Sequence, residues 1–278
     1  ETLNRSKFAE RFAKCSHGKK GSRKWYGIGL SFFAHGSGFT GDGESKIGTK
    51  AALELGFENA QPMVFIRVSS TEMGQGAFTV LSQMAADGLG VDLDRIRYPL
   101  PDTGLVPNSG PTVASRTTMV VGSTVYNAAI KMRKALEGAA GRPISGSKSF
   151  DQIASKYLVE HGPLRVVEPF MLPATVQWDQ KTFRGDAYPA FSWGCNVVEV
   201  EIDTLTFEIK VKKVYACYDI GRVINPVLAK GQIEGGLTQA LGYAVMEKIG
   251  IKDGKFDANR MQTYVIPTAL DTPEYDIS

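Results

Sequence analysis

The sequence predicts an α+β fold, with mixed sheets and packed helices. Three observations carry that prediction: apolar runs of strand length, three apolar stripes at helical spacing, and no clean βαβ repeat joining them. Strands and helices interspersed in this way argue against a doubly wound sheet.

Taken in order, Trp25 to Phe33 (WYGIGLSFF) reads as a strand, followed by a glycine-rich loop from Gly36 to Gly43. Further strands are expected at Thr49 to Phe57 and Met63 to Ser69, joined by the turn-like Glu58-Asn59-Ala60. A helix follows in which Phe78, Leu81, Met84/Ala85 and Leu89 recur at helical spacing before a glycine stop. Asp94 to Leu100 reads as a short strand, and Ser115 to Leu136 as a long helix with Val121, Val125, Ala128, Met132 and Leu136 on one side. Gly138 to Lys148 carries turn signals and reads as an excursion or linker. Val197 to Ile202 and Ile209 to Val214 alternate around Asp203-Thr204, a hairpin signal. Ile233, Leu237, Leu241 and Val245 mark a third helix, with strand-like sequence again at Tyr264 to Pro267. The expected organisation is an N-terminal extension (1–24), a first subdomain (25–148) and a second (149–278).

The 278 residues are 43% hydrophobic and 22% charged, enough for one large domain or two ordinary ones. Lys+Arg 32 against Asp+Glu 29 leaves a net charge of +3, too balanced to imply a nucleic-acid or membrane-surface partner. The basic cluster Lys19-Lys20 with Arg23-Lys24 sits in a Gly/Ser-rich run and reads as a solvated loop. Cys15, Cys195 and Cys217 are widely spaced, which favours a reducing compartment over a zinc or iron-sulfur site. His17, His35 and His161 are equally isolated. No stretch has the length of a membrane span, and the first residues lack a signal-peptide core, so a cytoplasmic location is expected. The chain does not begin with methionine, as a processed product or a piece of something longer would not.

Two helices carry glutamine among glycines near their expected starts: Gly74-Gln75-Gly76, and Gly231-Gln232 with Gly235-Gly236 following. A helix N-terminus presents unpaired N–H groups and partial positive charge, and glycine lets a ligand approach that backbone. Glutamine adds a neutral donor and acceptor suited to a heterocycle edge. The remaining long helix opens with Ala114, Ser115, Arg116, Thr117 and Thr118, whose hydroxyls and amides suit the same kind of ligand. Singly, each is explained by ordinary capping. Together they suggest a large, anionic, heterocyclic cofactor.

The motifs TEMGQG (Thr71 to Gly76), DTGLVPNSGPTVASRTT (Asp102 to Thr118), VEVEID (Val198 to Asp203) and DIGRVINPVLAKGQIEGGLTQALG (Asp219 to Gly242) occur in one order and spacing. In these the chain resembles the molybdenum-binding subunit, C-terminal half, of the xanthine dehydrogenase and aldehyde oxidase family of molybdenum hydroxylases. The resemblance runs from about Gly27 to the last residue.

That resemblance implies a molybdenum-molybdopterin cofactor, with Gln75, flanked by Gly74 and Gly76, contacting the pterin near the metal and Gln232 contacting the pterin as well. Ala114 to Thr118 would lie beside the metal ligands and the phosphate-bearing part. Arg116 would suit the cytosine dinucleotide form, pairing with its pyrophosphate. No residue of the chain is expected to ligate the metal directly. Leu30 falls where family members place a substrate-facing residue, with Phe33 shaping the same wall, although an ordinary buried strand residue is the preferred reading of Leu30.

The implied reaction inserts oxygen from water into a C–H bond of an N-heterocycle, such as a purine or nicotinate, or of an aldehyde, assisted by a glutamate base. That glutamate is expected beyond this chain, since no Gly-Glu motif follows Pro267 and Asp271, Glu274 and Asp276 precede its place. The expected partners are the other half of the molybdenum subunit, an iron-sulfur subunit and an FAD subunit, which would carry the iron-sulfur clusters and FAD. Two other readings compete: a non-catalytic structural or assembly module that keeps the fold without cofactor, and generic nucleotide binding, for which no GxGxxG or P-loop signature is found.

Overall fold

The computed structural model describes residues 1–15 and 21–278; His17 and the Lys19-Lys20 pair lie outside the described residues. The elements begin with α1 (Thr2–Arg5), α2 (Phe8–Cys15), β1 (Lys24–Gly36), α3 (Gly43–Ile47), β2 (Lys50–Glu58), β3 (Gln61–Arg67) and α4 (Ala77–Leu89). They continue with β4 (Ile96–Arg97), α5 (Ser123–Ala140), α6 (Ser147–His161), β5 (Leu164–Pro169), β6 (Gln177–Asp179) and β7 (Arg184–Asp186). The last are β8 (Phe191–Asp203), β9 (Ile209–Asp219), α7 (Pro226–Val245), β10 (Ile251–Lys252), β11 (Lys255–Phe256) and β12 (Glu274–Ile277).

The chain forms two compact units, residues 1–35 with 192–278 and residues 36–191. The expected division at 148 differs from this, because α6 and β5, which follow it, complete the second unit.

In the second unit β2 and β3 pair antiparallel through a two-residue turn in which Asn59 and Ala60 both have positive φ, 51° and 62°. Such a turn matches the twist of the strands it joins. The sheet order is β4-β3-β2-β5. Its apolar face, with Leu53, Leu55, Val64 and Ile66, packs against Leu81 and Leu89 of α4, Val125 and Met132 of α5, and Phe150 and Ile153 of α6. Each such burial contributes roughly 1.5–3 kcal/mol, so tertiary packing rather than propensity holds these helices. The α4–α5 crossing needs Gly88, where a Cβ would stand 2.8 Å from the Ala129 Cβ. The opposite face of the sheet is mixed: it buries Ala52 and Met63, and its Glu54 takes Arg67 at 2.6 Å and Arg165 at 2.8 Å.

In the first unit the order is β1-β8-β9-β12, with β12 parallel to β9. Alternation along β9 turns Val214 and Ala216 toward Leu237, Ile233 and Leu241 of α7. Tyr215 points to the other face, where Arg11 of α2 donates to Glu199 Oε2 at 2.6 Å. The first residues therefore cover the sheet rather than extending from it. Cys195 and Cys217, remote in sequence, are paired opposite each other across β8 and β9, both as free thiols.

Three local expectations are corrected. Asp94 to Leu100 supplies only a 3-10 turn (Leu93–Arg95) and the two residues of β4. The excursion at 138–148 is short, running from the left-handed Gly141 to the start of α6, a helix not expected from the sequence although its buried Phe150, Ile153, Ala154 and Leu158 recur at helical spacing. Tyr264 to Pro267 is irregular, not a strand.

Candidate functional site

Two loops of the second unit are fastened side by side. One leaves β3 and enters α4; the other leads into α5. Ser69 N–H donates to Ser109 Oγ (3.0 Å), Ser109 N–H donates to Ser69 Oγ (2.9 Å), and Thr71 N–H donates to Thr112 Oγ1 (2.9 Å). The buried Ser109 Oγ also donates to the Lys50 carbonyl (2.9 Å), tying both loops to β2. The Thr71–Thr112 bond lies three residues before Gly74 on one loop and two residues before Ala114 on the other.

At the mouth of α4, Gly74 and Gly76 have φ of 103° and 83°, conformations that side chains resist. The amides there are not vacant. Glu72 Oε1 accepts from Gly74 N (2.8 Å) and Gly76 N (3.0 Å), and Oε2 accepts from Phe78 N (3.0 Å). Burial opposes ionisation of Glu72, but the amides of Phe78, Gly76, Gly74 and Met73 outweigh it and hold the carboxyl below the usual glutamate value. Phe78 stacks on Tyr98 with ring centroids 4.1 Å apart. The expectation that this helix mouth receives an anion is corrected: the chain's own carboxylate fills it. The signal was the glutamate of TEMGQG itself, four residues before the helix cap.

Gln75 is held by its own loop, its Oε1 accepting from Met73 N (2.6 Å) and its Nε2 donating to the Thr71 carbonyl (2.7 Å). A glutamine amide offers two acceptor and two donor positions, so one of each is left for a ligand.

The second loop is less ordinary. Ala114 and Ser115 have φ of 54° and 53°, each costing about 1–3 kcal/mol of backbone strain. A single π-type turn, Thr117–Gly122, then leads into α5. Thus Ser115 does not cap the helix, as the sequence suggested. Among the described residues, the N–H groups of Ala114, Ser115, Thr117 and Thr118 and the hydroxyls of Ser115, Thr117 and Thr118 have no protein acceptor. Donors gathered on an exposed, strained turn make a cradle for phosphate-like oxygens.

Arg116 is not part of that donor set, which corrects its expected pairing with a pyrophosphate. Its side chain is buried, and every guanidinium donor is taken by Glu44, Thr49 or the Ser109 and Pro111 carbonyls. A fully engaged guanidinium has nothing left to offer a phosphate.

Leu30, Phe33 and Gln232 belong to the first unit. Gln232 does not stand at a helix mouth: α7 begins at Pro226, capped by Asn225 Oδ1 accepting from Leu228 N at 3.1 Å. Gln232 is exposed one to two turns in, beside Gly231, Gly235 and Gly236, where an added Cβ would meet nothing within 4 Å. Leu30 is half exposed rather than a buried strand residue. Phe33 packs over Gly194, edge-on to Tyr218 at 5.6 Å. The acids near the end of the chain are engaged: Asp271 by Thr268, Glu274 by Lys213 and Asp276 by Arg5. No group of three or more His, Cys, Asp or Glu among the described residues is placed to hold a metal ion. No helix among them is long and apolar enough to cross a membrane.

Residues 1–273 match the family described as molybdopterin cofactor-binding domain. A probable xanthine dehydrogenase component from Bacillus subtilis is 30% identical over 264 residues, 89% of this chain and 34% of that protein. The nicotine 6-hydroxylase large subunit of Paenarthrobacter nicotinovorans is 26% identical over 275 residues, 91% of this chain and 33% of that protein. The chain therefore spans about a third of the length of these curated relatives. The crystal structure of the aldehyde oxidoreductase from Desulfovibrio desulfuricans superposes with a TM-score of 0.78 at 24% identity, covering 98% of this chain and 28% of the other.

Proposed function

The chain belongs to the molybdopterin cofactor-binding domain family, and from that premise we propose that it is part of the molybdenum-pterin catalytic subunit of a hydroxylase. The reaction is oxidation of an N-heterocycle of the purine or nicotinate type, or of an aldehyde, with oxygen from water. The observation that carries the reading is the Ala114–Thr118 turn, in which the amides of Ala114, Ser115, Thr117 and Thr118 have no protein acceptor, on a loop bonded to the Gln75 loop through Thr71 and Thr112. That donor set fits an anionic, phosphate-bearing pterin.

In this reading the amides of Ala114, Ser115, Thr117 and Thr118 hold the phosphate-bearing part, and the cytosine dinucleotide form is the expected one without any contribution from Arg116. Gln75 uses its remaining donor and acceptor on the pterin. Gln232 has the corresponding role in the first unit, where the adjoining glycines leave the helix surface open. Leu30 and Phe33 shape the substrate wall. When bound, the molybdenum group supplies Lewis acidity and accepts two electrons from the substrate carbon. The proton-accepting glutamate, the other half of the subunit, and the iron-sulfur and FAD partners lie outside this chain, and the assembly works in the cytoplasm.

The test is product analysis in heavy-oxygen water. The complex containing this chain, loaded with molybdenum, is offered purine, nicotinate and aldehyde substrates. Label from water in one product supports the reading; a molybdenum-loaded complex that labels none of them contradicts it and favours the non-catalytic module.

A further inference from the structure

We propose that the buried Glu44–Arg116 pair is the positioning device of the Ala114–Thr118 cradle, setting its amides in place before a phosphate-bearing ligand arrives. The inference rests on the reading of that turn given above. It concerns Arg116 in a role opposite to the one its position first suggests.

The side chains of Arg116 and Glu44 are 1% and 0% exposed. The guanidinium offers five N–H donors, and all are used. Nε donates to Glu44 Oε1 at 3.0 Å, and one Nη2 hydrogen to Glu44 Oε2 at 2.8 Å. The other Nη2 hydrogen goes to Thr49 Oγ1. Nη1 donates to the carbonyls of Ser109 (2.8 Å) and Pro111 (3.0 Å). One side chain thus gathers residues 44–49, 109–111 and 116.

The strained residues sit inside this clamp. The Ala114 carbonyl accepts from Gly38 N at 2.9 Å, and the neighbouring Phe39 N donates to Glu44 Oε1 at 3.1 Å. A Cβ on Gly38 would stand 3.0 Å from Glu44 Oε1, and one on Gly110 would stand 2.9 Å from Arg116 Nη1. The backbone on both sides of Ala114 and Ser115 is therefore built around the ion pair.

A buried ion pair is weak evidence of stability, since a well-packed apolar pair often serves as well. What an apolar pair cannot do is fix two carbonyls and a carboxylate in one plane, which is the particular property of the guanidinium fork. Lysine keeps the charge but presents a single point, so it does not replace arginine.

The experiment compares Arg116→Lys and Glu44→Gln with Phe150→Leu, a substitution in the α6 core of the same unit, in the full polypeptide that contains this chain. Amide hydrogen exchange is followed over residues 109–118, with melting temperature as the measure of global stability. Molybdenum and pterin retained through gel filtration are measured alongside. The expected result is exchange over 109–118 about tenfold faster in the Arg116 and Glu44 variants than in the core variant at equal loss of melting temperature, with faster loss of molybdenum. Exchange that merely tracks melting temperature overturns the proposal. Should either charge variant fail to fold, Thr49→Val, which removes one acceptor and keeps the ion pair, carries the comparison, with a smaller local increase expected and its absence again overturning the proposal. A parent protein that retains no molybdenum or pterin contradicts the functional reading instead, and the exchange comparison still decides the role of the pair.

Discussion

Glu72 and Phe78 meet at the start of α4, where the carboxylate Oε2 accepts the Phe78 amide hydrogen at 3.0 Å. With Oε1 holding the amides of Gly74 and Gly76, the glutamate does for this helix what a bound anion would do: it satisfies its first donors and complements its dipole. In the neighbouring turn the amides of Ala114, Ser115, Thr117 and Thr118 have no such partner.

Replacing this carboxylate by an amide is expected to cost about 1 kcal/mol, the usual worth of a helix cap. Because the folded-state pKa of Glu72 lies below the ordinary 4.5, its contribution is complete above that value and is lost as pH falls through the folded pKa. Denaturant melts of Glu72→Gln and the parent should therefore differ at neutral pH and converge in acid. A gap independent of pH would show that ionisation plays no part.

Gly110 and Gly74 both have positive φ, 76° and 103°, yet their surroundings differ. A Cβ on Gly110 would lie 2.7 Å from Ile47 Cγ2 and 2.9 Å from Arg116 Nη1, whereas one on Gly74 would meet nothing within 4 Å. Gly110→Ala is expected to lose about 2–5 kcal/mol, backbone strain plus overpacking. Gly74→Ala should lose only the strain, about 1–2 kcal/mol. Equal losses in urea unfolding would contradict the packing of Gly110 against the guanidinium.

Phe150 of α6 is fully buried against the core that α4 and α5 share. Phe150→Ala is expected to cost about 3–5 kcal/mol of the second unit's stability. A loss below about 1 kcal/mol would mean that α6 is an appendage to that core.

The strands and helices with strong patterns were legible from sequence: the β2–β3 hairpin, α4 with its glycine stop, and the β8–β9 pair are where periodicity puts them. What was hidden depended on long-range partners. Nothing in the sequence around Arg116 announces that Glu44, 72 residues earlier, consumes its charge. Nor does helical spacing reveal that α7 starts at Pro226, since Pro226-Val227-Leu228 continues an apolar run that also fits a loop. Gln75 was visible because glycine on both sides has few other uses, and Gln232 because Gly231 precedes it and Gly235-Gly236 follow, whereas the Ala114–Ser115 strain was not, because neither residue type advertises positive φ.

Gln75 bonds both ends of its side chain within Thr71–Gln75 and keeps one donor and one acceptor for a ligand. In the assembled complex, Gln75→Ala should lower molybdenum content and turnover together, with a modest loss of stability of about 1 kcal/mol from the loop bonds. Unchanged metal content and turnover would remove Gln75 from the site.

The most direct test of the central claim, that these loops hold a molybdenum-pterin group, is to determine molybdenum and released pterin nucleotide on the polypeptide containing this chain, purified with its partners, for the parent and for the double variant Ser115→Ala with Thr117→Val, which deletes two cradle hydroxyls and leaves the backbone of the turn unchanged. The account predicts molybdenum and pterin near one per chain in the parent and a clear loss in the variant. Parent protein that carries neither, or a variant that carries as much as the parent, would contradict it.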